Sequence, residues 1–179
     1  MNLPAHIFTR KHNSAVNDDT IAAIQMYVTL TSNIVDVGAG DGFYAKLIRH
    51  YVPLVHITGI ELTPEYLDKF ELRPWYNNII VGNIVNEIDN LVGDVVIFGD
   101  VLEHLNKEEA LGVVDKAVTR FGTIIINGPV GFQPQPHENP AEHHRCGFTK
   151  EDFMKYNPIV YKEFCNGAMM HLVIKGEVK

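Results

Sequence analysis

Residues 34–42 read Ile-Val-Asp-Val-Gly-Ala-Gly-Asp-Gly, a buried-strand run that breaks directly into three alternating glycines. The apolar Ile34, Val35 and Val37 predict a strand. Gly38, Gly40 and Gly42 then remove every other side chain, so the backbone can lie flat against a ligand before the helix at Tyr44-Ala-Lys-Leu-Ile-Arg begins. Spacing narrows the choice of ligand. A dinucleotide fingerprint places its third glycine five residues after the first, whereas Gly42 comes four after Gly38. Asp36 lies inside the strand, where a carboxylate is awkward beside a pyrophosphate and favourable beside a cation. The pattern favours a nucleoside with a positively charged tail over a dinucleotide.

The rest of the chain alternates in the same manner. Asp18-Asp19-Thr20 offers caps and negative charge to a helix over about 20–30, with Ile21, Ile24 and Val28 at helical spacing. Strand 34–38, helix 42–51, strand 55–60 and helix 64–71 follow, Pro64 suiting a first helical position. Ile79-Ile-Val81 is a third short strand. Val95-Val-Ile-Phe98 and Thr123-Ile-Ile-Ile126 are the unbroken apolar runs of parallel strands covered on both faces, with a helix near 107–120 between them. A helix near 149–156 and strands at 159–165 and 168–175 close the chain. Such alternation predicts an α/β fold with a doubly wound, mostly parallel sheet. Ligands of such sheets bind outside the carboxyl ends of the strands. Gly38–Gly42, Glu61, Asn83, Asp100 and Asn127 all fall at those ends, so one rim carries nearly every polar landmark. Residues 128–148, with Pro129, Pro134, Pro136 and Pro140, form the longest irregular stretch, as expected of a lid or substrate wall.

Asp36-Val-Gly-Ala-Gly-Asp-Gly42 resembles motif I of the class I S-adenosylmethionine-dependent methyltransferases. Further landmarks follow in order. Thr58-Gly-Ile-Glu61 is similar to the family's second strand, which ends in an acidic residue for the ribose hydroxyls. Gly82-Asn83-Ile84 lies where the family reads the adenine, although aspartate is commoner there than asparagine. Asp94-Val-Val-Ile-Phe-Gly-Asp-Val-Leu-Glu-His-Leu105 resembles the fourth strand and Gly122-Thr-Ile-Ile-Ile-Asn-Gly-Pro129 the fifth. The resemblance implies a Rossmann-like, doubly wound, seven-stranded sheet with an antiparallel C-terminal edge pair. It implies S-adenosylmethionine as cofactor, bound by Asp36, Gly38, Ala39, Gly40, Gly42, Glu61, Leu62, Asn83, Ile84, Gly99 and Asp100. The Asn/Asp-Pro-Pro-Tyr/Phe signature for amide or nucleobase amino groups is absent, the fourth strand ending Phe98-Gly-Asp-Val.

Composition bounds the partners. At 179 residues, 46% hydrophobic and 21% charged, the chain reads as an ordinary globular domain, with residues 1–17 as a flexible lead-in and 18–179 as a single domain. The net charge is −7 and no lysine/arginine run exceeds Arg10-Lys11, which disfavours a nucleic-acid substrate. No membrane span or signal-peptide order is visible, and the spacing of Cys146 and Cys165 suits reduced thiols in the cytoplasm. A monomer or homodimer with a small-molecule acceptor is expected.

Methyl transfer from a sulfonium is an in-line displacement on an already activated donor, so the protein must mainly align the partners and exclude water. A hydroxyl or protonated amine acceptor also needs a base, and imidazoles titrate in the right range. His104 follows the fourth strand; His137, His143 and His144 lie in the proline-rich stretch. His104 meeting one of the latter, His143 or His144, across the acceptor pocket is the expected catalytic pair. Asp100, Glu103 and His104 could also share one helical face as a metal set. Some quinone-biosynthesis O-methyltransferases and small-RNA end-methylating enzymes are similar here and use a divalent ion, while many metal-free relatives carry the same Glu-His. The expectation is a rim without metal. Two other readings stay open: a metal-assisted RNA ribose or end methyltransferase, and a non-catalytic cofactor-binding subunit.

Overall fold

The computed structural model describes residues 14–178, so the expected lead-in lies outside the described residues as far as residue 13. Helix α1 (Ser14–Tyr27) already includes residues 14–17. It starts and ends earlier than the expected 20–30, because Asp18-Asp19-Thr20 is not its cap. Thr20 is buried in the middle of the helix, and its hydroxyl accepts a hydrogen bond from Asn127 Nδ2 at 3.2 Å.

Strands β1 (Asn33–Val37), β2 (His56–Glu61), β3 (Asn78–Val81), β4 (Gly93–Gly99) and β5 (Phe121–Pro129) are joined in parallel pairs. Helices α2 (Phe43–Tyr51) and α3 (Glu65–Lys69) lie between the first three strands in sequence. The short α4 (Ile84–Glu87) precedes β4, α5 (Lys107–Arg120) precedes β5, and α6 (Lys150–Met154) precedes a final hairpin of β6 (Val160–Phe164) and β7 (Met169–Lys175). β7 pairs antiparallel with both β5 and β6, giving one seven-stranded sheet in the order β3-β2-β1-β4-β5-β7-β6. The winding reverses between β1 and β4. Among the described residues no helix is long and apolar enough to cross a membrane.

The apolar runs are unbroken because alternate residues feed two cores. Val35, Val37, Val96, Phe98, Ile124 and Ile126 pack with α4, α5 and α6. Ile34, Ile57, Val95, Ile97 and Ile125 pack with α1, α2 and α3 on the other face. The second core reaches up to the site through Tyr44, whose hydroxyl accepts from Asn127 Nδ2 at 2.9 Å. Its ring lies where a side chain on Gly99 would stand: a Cβ there would be 1.8 Å from Tyr44 Cε2. Gly99→Ala is therefore expected to destabilise the fold by about 3 kcal/mol or more through overpacking. That corresponds to a fall of roughly 6–12 °C in Tm, which differential scanning calorimetry would read.

Candidate functional site

A cavity of about 240 Å³ opens at the carboxyl ends of β1, β2, β3 and β4, across the point where the winding reverses. Of the residues expected to hold the cofactor, Gly38, Gly40, Glu61, Leu62, Asn83, Ile84, Gly99 and Asp100 line it. Asp36, Ala39 and Gly42 do not; they build the turn from behind.

The glycine turn is tied to β2 by Gly38 N–H and Ala39 N–H, both donating to the Ile60 carbonyl at 2.8 and 2.9 Å. Gly38 sits at φ +70°, and a Cβ there would lie 2.4 Å from Val101 Cγ2, so both backbone and space exclude a side chain. Gly42, at φ +77°, is the N-cap of α2. Glu61 clamps the turn from the end of β2. Its Oε2 accepts from Gly40 N–H at 2.8 Å and its Oε1 from Thr63 N–H at 2.7 Å. Burial raises its pKa, and these two backbone bonds oppose the rise. A carboxylate offers about four acceptor positions, so capacity is left for a hydroxyl donor. Asn83 caps α4, its Oδ1 accepting from Val85 N–H at 2.9 Å, so the side chain that faces the cavity is held by the helix it starts.

Asp36 is wholly buried on the α1–α2 face of β1. Its Oδ2 accepts from the Tyr76 hydroxyl at 2.6 Å, and its Oδ1 is buried with no hydrogen-bond partner among the described residues. Burial pushes the carboxyl up to about 7, against the Tyr76 hydrogen bond and helped by the charges of Glu61 and Asp41. The sequence placed this carboxylate beside a cation; the structure places it behind the turn with a phenol. Because its folded pKa is raised, the stability Asp36 contributes is fully present below about pH 4 and is lost as the pH rises through about 7. Asp36→Asn removes the charge. The variant should gain on the parent protein by about 2–3 kcal/mol between pH 5 and pH 8 in urea titrations. A pH-independent difference would mean that Asp36 ionises as an ordinary carboxyl.

The far wall comes from the turn after β4 and the irregular segment after β5. Asp100 has φ +54° and is followed by a single 3-10 turn, Leu102–His104, so Asp100, Glu103 and His104 do not share a helical face. His104 lines the cavity. Its Nδ1 donates to the His143 carbonyl at 3.3 Å, which leaves the lone pair on Nε2. Burial lowers its pKa, which favours the neutral imidazole. Its ring meets that of His144 edge-on, with centroids 5.0 Å apart. His144 and the buried Glu103 lie beside it, the ligand atoms of the three within 4.8 Å of one another. Of the later histidines, His144 is the one whose ring meets His104, although the cavity lining includes His104 and not His144. His143 is exposed and away from the cavity wall; its Nε2 donates to the His137 carbonyl at 2.7 Å. His137 Nδ1 in turn accepts from Asn139 N–H at 3.0 Å, so both rings shape the segment itself.

That segment is a wall. Asn139 Nδ2 donates to the Thr63 hydroxyl at 3.2 Å, and Arg145 N–H donates to the Glu103 carbonyl at 2.7 Å. Ala141, Glu142 and Arg145 line the cavity with Thr63, Val101 and Leu105, all missed by the sequence reading. A cation in the long irregular stretch was the one available signal for Arg145. Nothing in the spacing signalled Tyr76, which follows a 3-10 turn (Arg73–Trp75).

Over residues 35–126, more than half its length, the sequence matches the family described as methyltransferase domain. The chain belongs to that family, the class I S-adenosylmethionine-dependent methyltransferases. A comparison with curated proteins returns no match. Similar solved structures include the N-terminal domain of EvdMO1 in the presence of S-adenosylhomocysteine and D-fucose (TM-score 0.67, 13% identity, covering 94% of this chain and 85% of that one). PH0226 protein from Pyrococcus horikoshii OT3 has a TM-score of 0.67 at 15% identity over 96% and 93% of the two chains. An S-adenosylmethionine-dependent methyltransferase from Archaeoglobus fulgidus has 0.63 at 14% over 92% and 95%.

Proposed function

We propose that this protein binds S-adenosylmethionine in the cavity and transfers its methyl group to an oxygen or nitrogen of a small-molecule acceptor. The observation that carries the reading is the arrangement around one cavity: the Gly38–Gly40 backbone and Glu61 on one side, His104 on the other. Glu61 has acceptor capacity left for the ribose hydroxyls, and Asn83 and Ile84 border the place for the adenine. The sulfonium needs no further activation; the residues have to align it with the nucleophile and keep water out. As the acceptor oxygen or nitrogen bonds to the methyl carbon, the carbon–sulfur bond breaks and neutral S-adenosylhomocysteine leaves. His104, on the wall, would assist loss of the acceptor's proton.

A small acceptor fits the charge of the wall. Among the described residues Arg145 is the single lysine or arginine lining the cavity, against Glu61, Asp100 and Glu142, and the whole chain carries −7. A phosphate backbone needs several cations in register. The test is release of S-adenosylhomocysteine across a panel of small alcohols, phenols, carboxylic acids and amines, with a short RNA as comparison. Turnover on a small acceptor is expected. Turnover on the RNA alone, or cofactor binding with no turnover on any acceptor, would contradict the proposal.

A further inference from the structure

We infer that Glu103, His104 and His144 together bind one divalent transition-metal cation beside the cavity, whose lining includes His104. The three groups come from two places in the chain: the 3-10 turn after β4 and the irregular segment after β5, which the Arg145 and Cys146 N–H donors fasten to the Glu103 carbonyl. Their ligand atoms lie within 4.8 Å of one another. A cation with bonds of about 2.0–2.2 Å holds its ligand atoms up to roughly 4 Å apart, so the cluster closes by about an ångström on loading, and His144 sits outside any helix or strand.

Two details point to a ligand rather than to three side chains that happen to be close. The Nδ1 of His144 is buried with no hydrogen-bond partner among the described residues, a state that buried polar nitrogens avoid. His104 has its other ring nitrogen already committed, Nδ1 donating to the His143 carbonyl. That outer hydrogen bond fixes the tautomer with the Nε2 lone pair available, as metal-binding histidines require. Two imidazoles and a carboxylate suit Zn²⁺, Co²⁺, Mn²⁺ or Fe²⁺ rather than Mg²⁺ or Ca²⁺, and three protein ligands leave a fourth position for water or an acceptor oxygen. Asp100, which helical spacing could have joined to such a set, is not part of it. Resting on the methyltransferase reading above, the cation would hold the acceptor hydroxyl beside His104 and lower its pKa. The hydroxyl proton then passes to water as the oxygen takes the methyl group, and His104 assists that loss as a ligand of the cation.

The test is a Co²⁺ titration of the full chain, carrying no histidine tag, followed by visible absorption. A saturable d–d band at one Co²⁺ per chain, bleached by Zn²⁺, is expected. His144→Ala, in the irregular segment, and Glu103→Gln, in the buried turn, should each weaken Co²⁺ binding at least about tenfold. His143→Ala should leave it unchanged, because only its carbonyl serves His104. No band, or a band indifferent to His144→Ala, would overturn the inference. S-adenosylhomocysteine binding is measured on the same samples to show that they are folded. Cofactor binding without the band overturns the metal site and spares the methyltransferase reading; the band without cofactor binding does the reverse.

Discussion

Glu61→Ala is expected to weaken S-adenosylhomocysteine binding by at least about 100-fold, equivalent to about 2.7 kcal/mol. Two losses add. The half-buried Gly40 and Thr63 N–H groups lose the carboxylate oxygens that accept from them at 2.8 and 2.7 Å, each orphaned donor costing up to about 1–3 kcal/mol. The glycine turn then keeps only its Ile60 carbonyl bonds to β2, and the place proposed for the ribose hydroxyls loses the Glu61 acceptor. Glu61→Gln separates the two effects. Its one carbonyl oxygen can accept from one of the N–H groups, while its amide nitrogen faces the other donor, so a loss of about tenfold is expected. Isothermal titration calorimetry reads both. Equal affinity in Glu61→Ala and the parent protein would show that the carboxylate holds the loop and does not serve the ligand.

His104→Ala is expected to do the opposite: methyl transfer falls by about 10²–10⁴-fold, while S-adenosylhomocysteine affinity stays within about threefold. The imidazole stands on the cavity wall away from the glycine turn, and its Nδ1 is fixed by the His143 carbonyl. Removing it takes away the group proposed to assist loss of the acceptor's proton and leaves Glu61, Asn83 and the Gly38–Gly40 backbone in place. Single-turnover rates at saturating cofactor are the measurement. Loss of cofactor affinity in parallel with activity would mean that His104 props the cavity and has no part in the transfer.

The parts of this site that could be read in the sequence are those whose cause is local. Val35, Val37, Val96, Phe98, Ile124 and Ile126 are apolar because their strands are covered on both faces, so the runs announce themselves. Gly38 is fixed by its own φ and by Val101 only 63 residues on but one strand away, and its spacing from Gly40 and Gly42 shows in the string of letters. Contacts made across the fold left no such mark. Asp36 could be read as a carboxylate at a strand end, but not as the partner of Tyr76, because a phenol arriving from beyond a 3-10 turn has no periodicity to betray it. Asp18-Asp19-Thr20 looks like a cap, yet Thr20 is buried against Asn127 because α1 packs on the sheet there. Asp100-Val-Leu-Glu-His looks like a helical face; the left-handed Asp100 turns the chain, and only Leu102–His104 coils, as a 3-10 turn. His143 and His144 are adjacent and chemically identical in the sequence. Which of them meets His104 is decided by the path of an irregular segment held through Asn139 and Arg145.

A thermal-shift titration with S-adenosylhomocysteine, with NAD as the control, tests most directly whether the cavity at the ends of β1, β2, β3 and β4 is a cofactor site. At about a hundred times its dissociation constant the ligand adds roughly 2.7 kcal/mol to stability, a rise on the order of 5–10 °C for a domain of this size. A saturable rise with S-adenosylhomocysteine and none with NAD is the expected result. A flat response to S-adenosylhomocysteine, or an equal rise with NAD, would contradict the assignment of the Gly38–Gly40 turn and Glu61 to a sulfonium nucleoside.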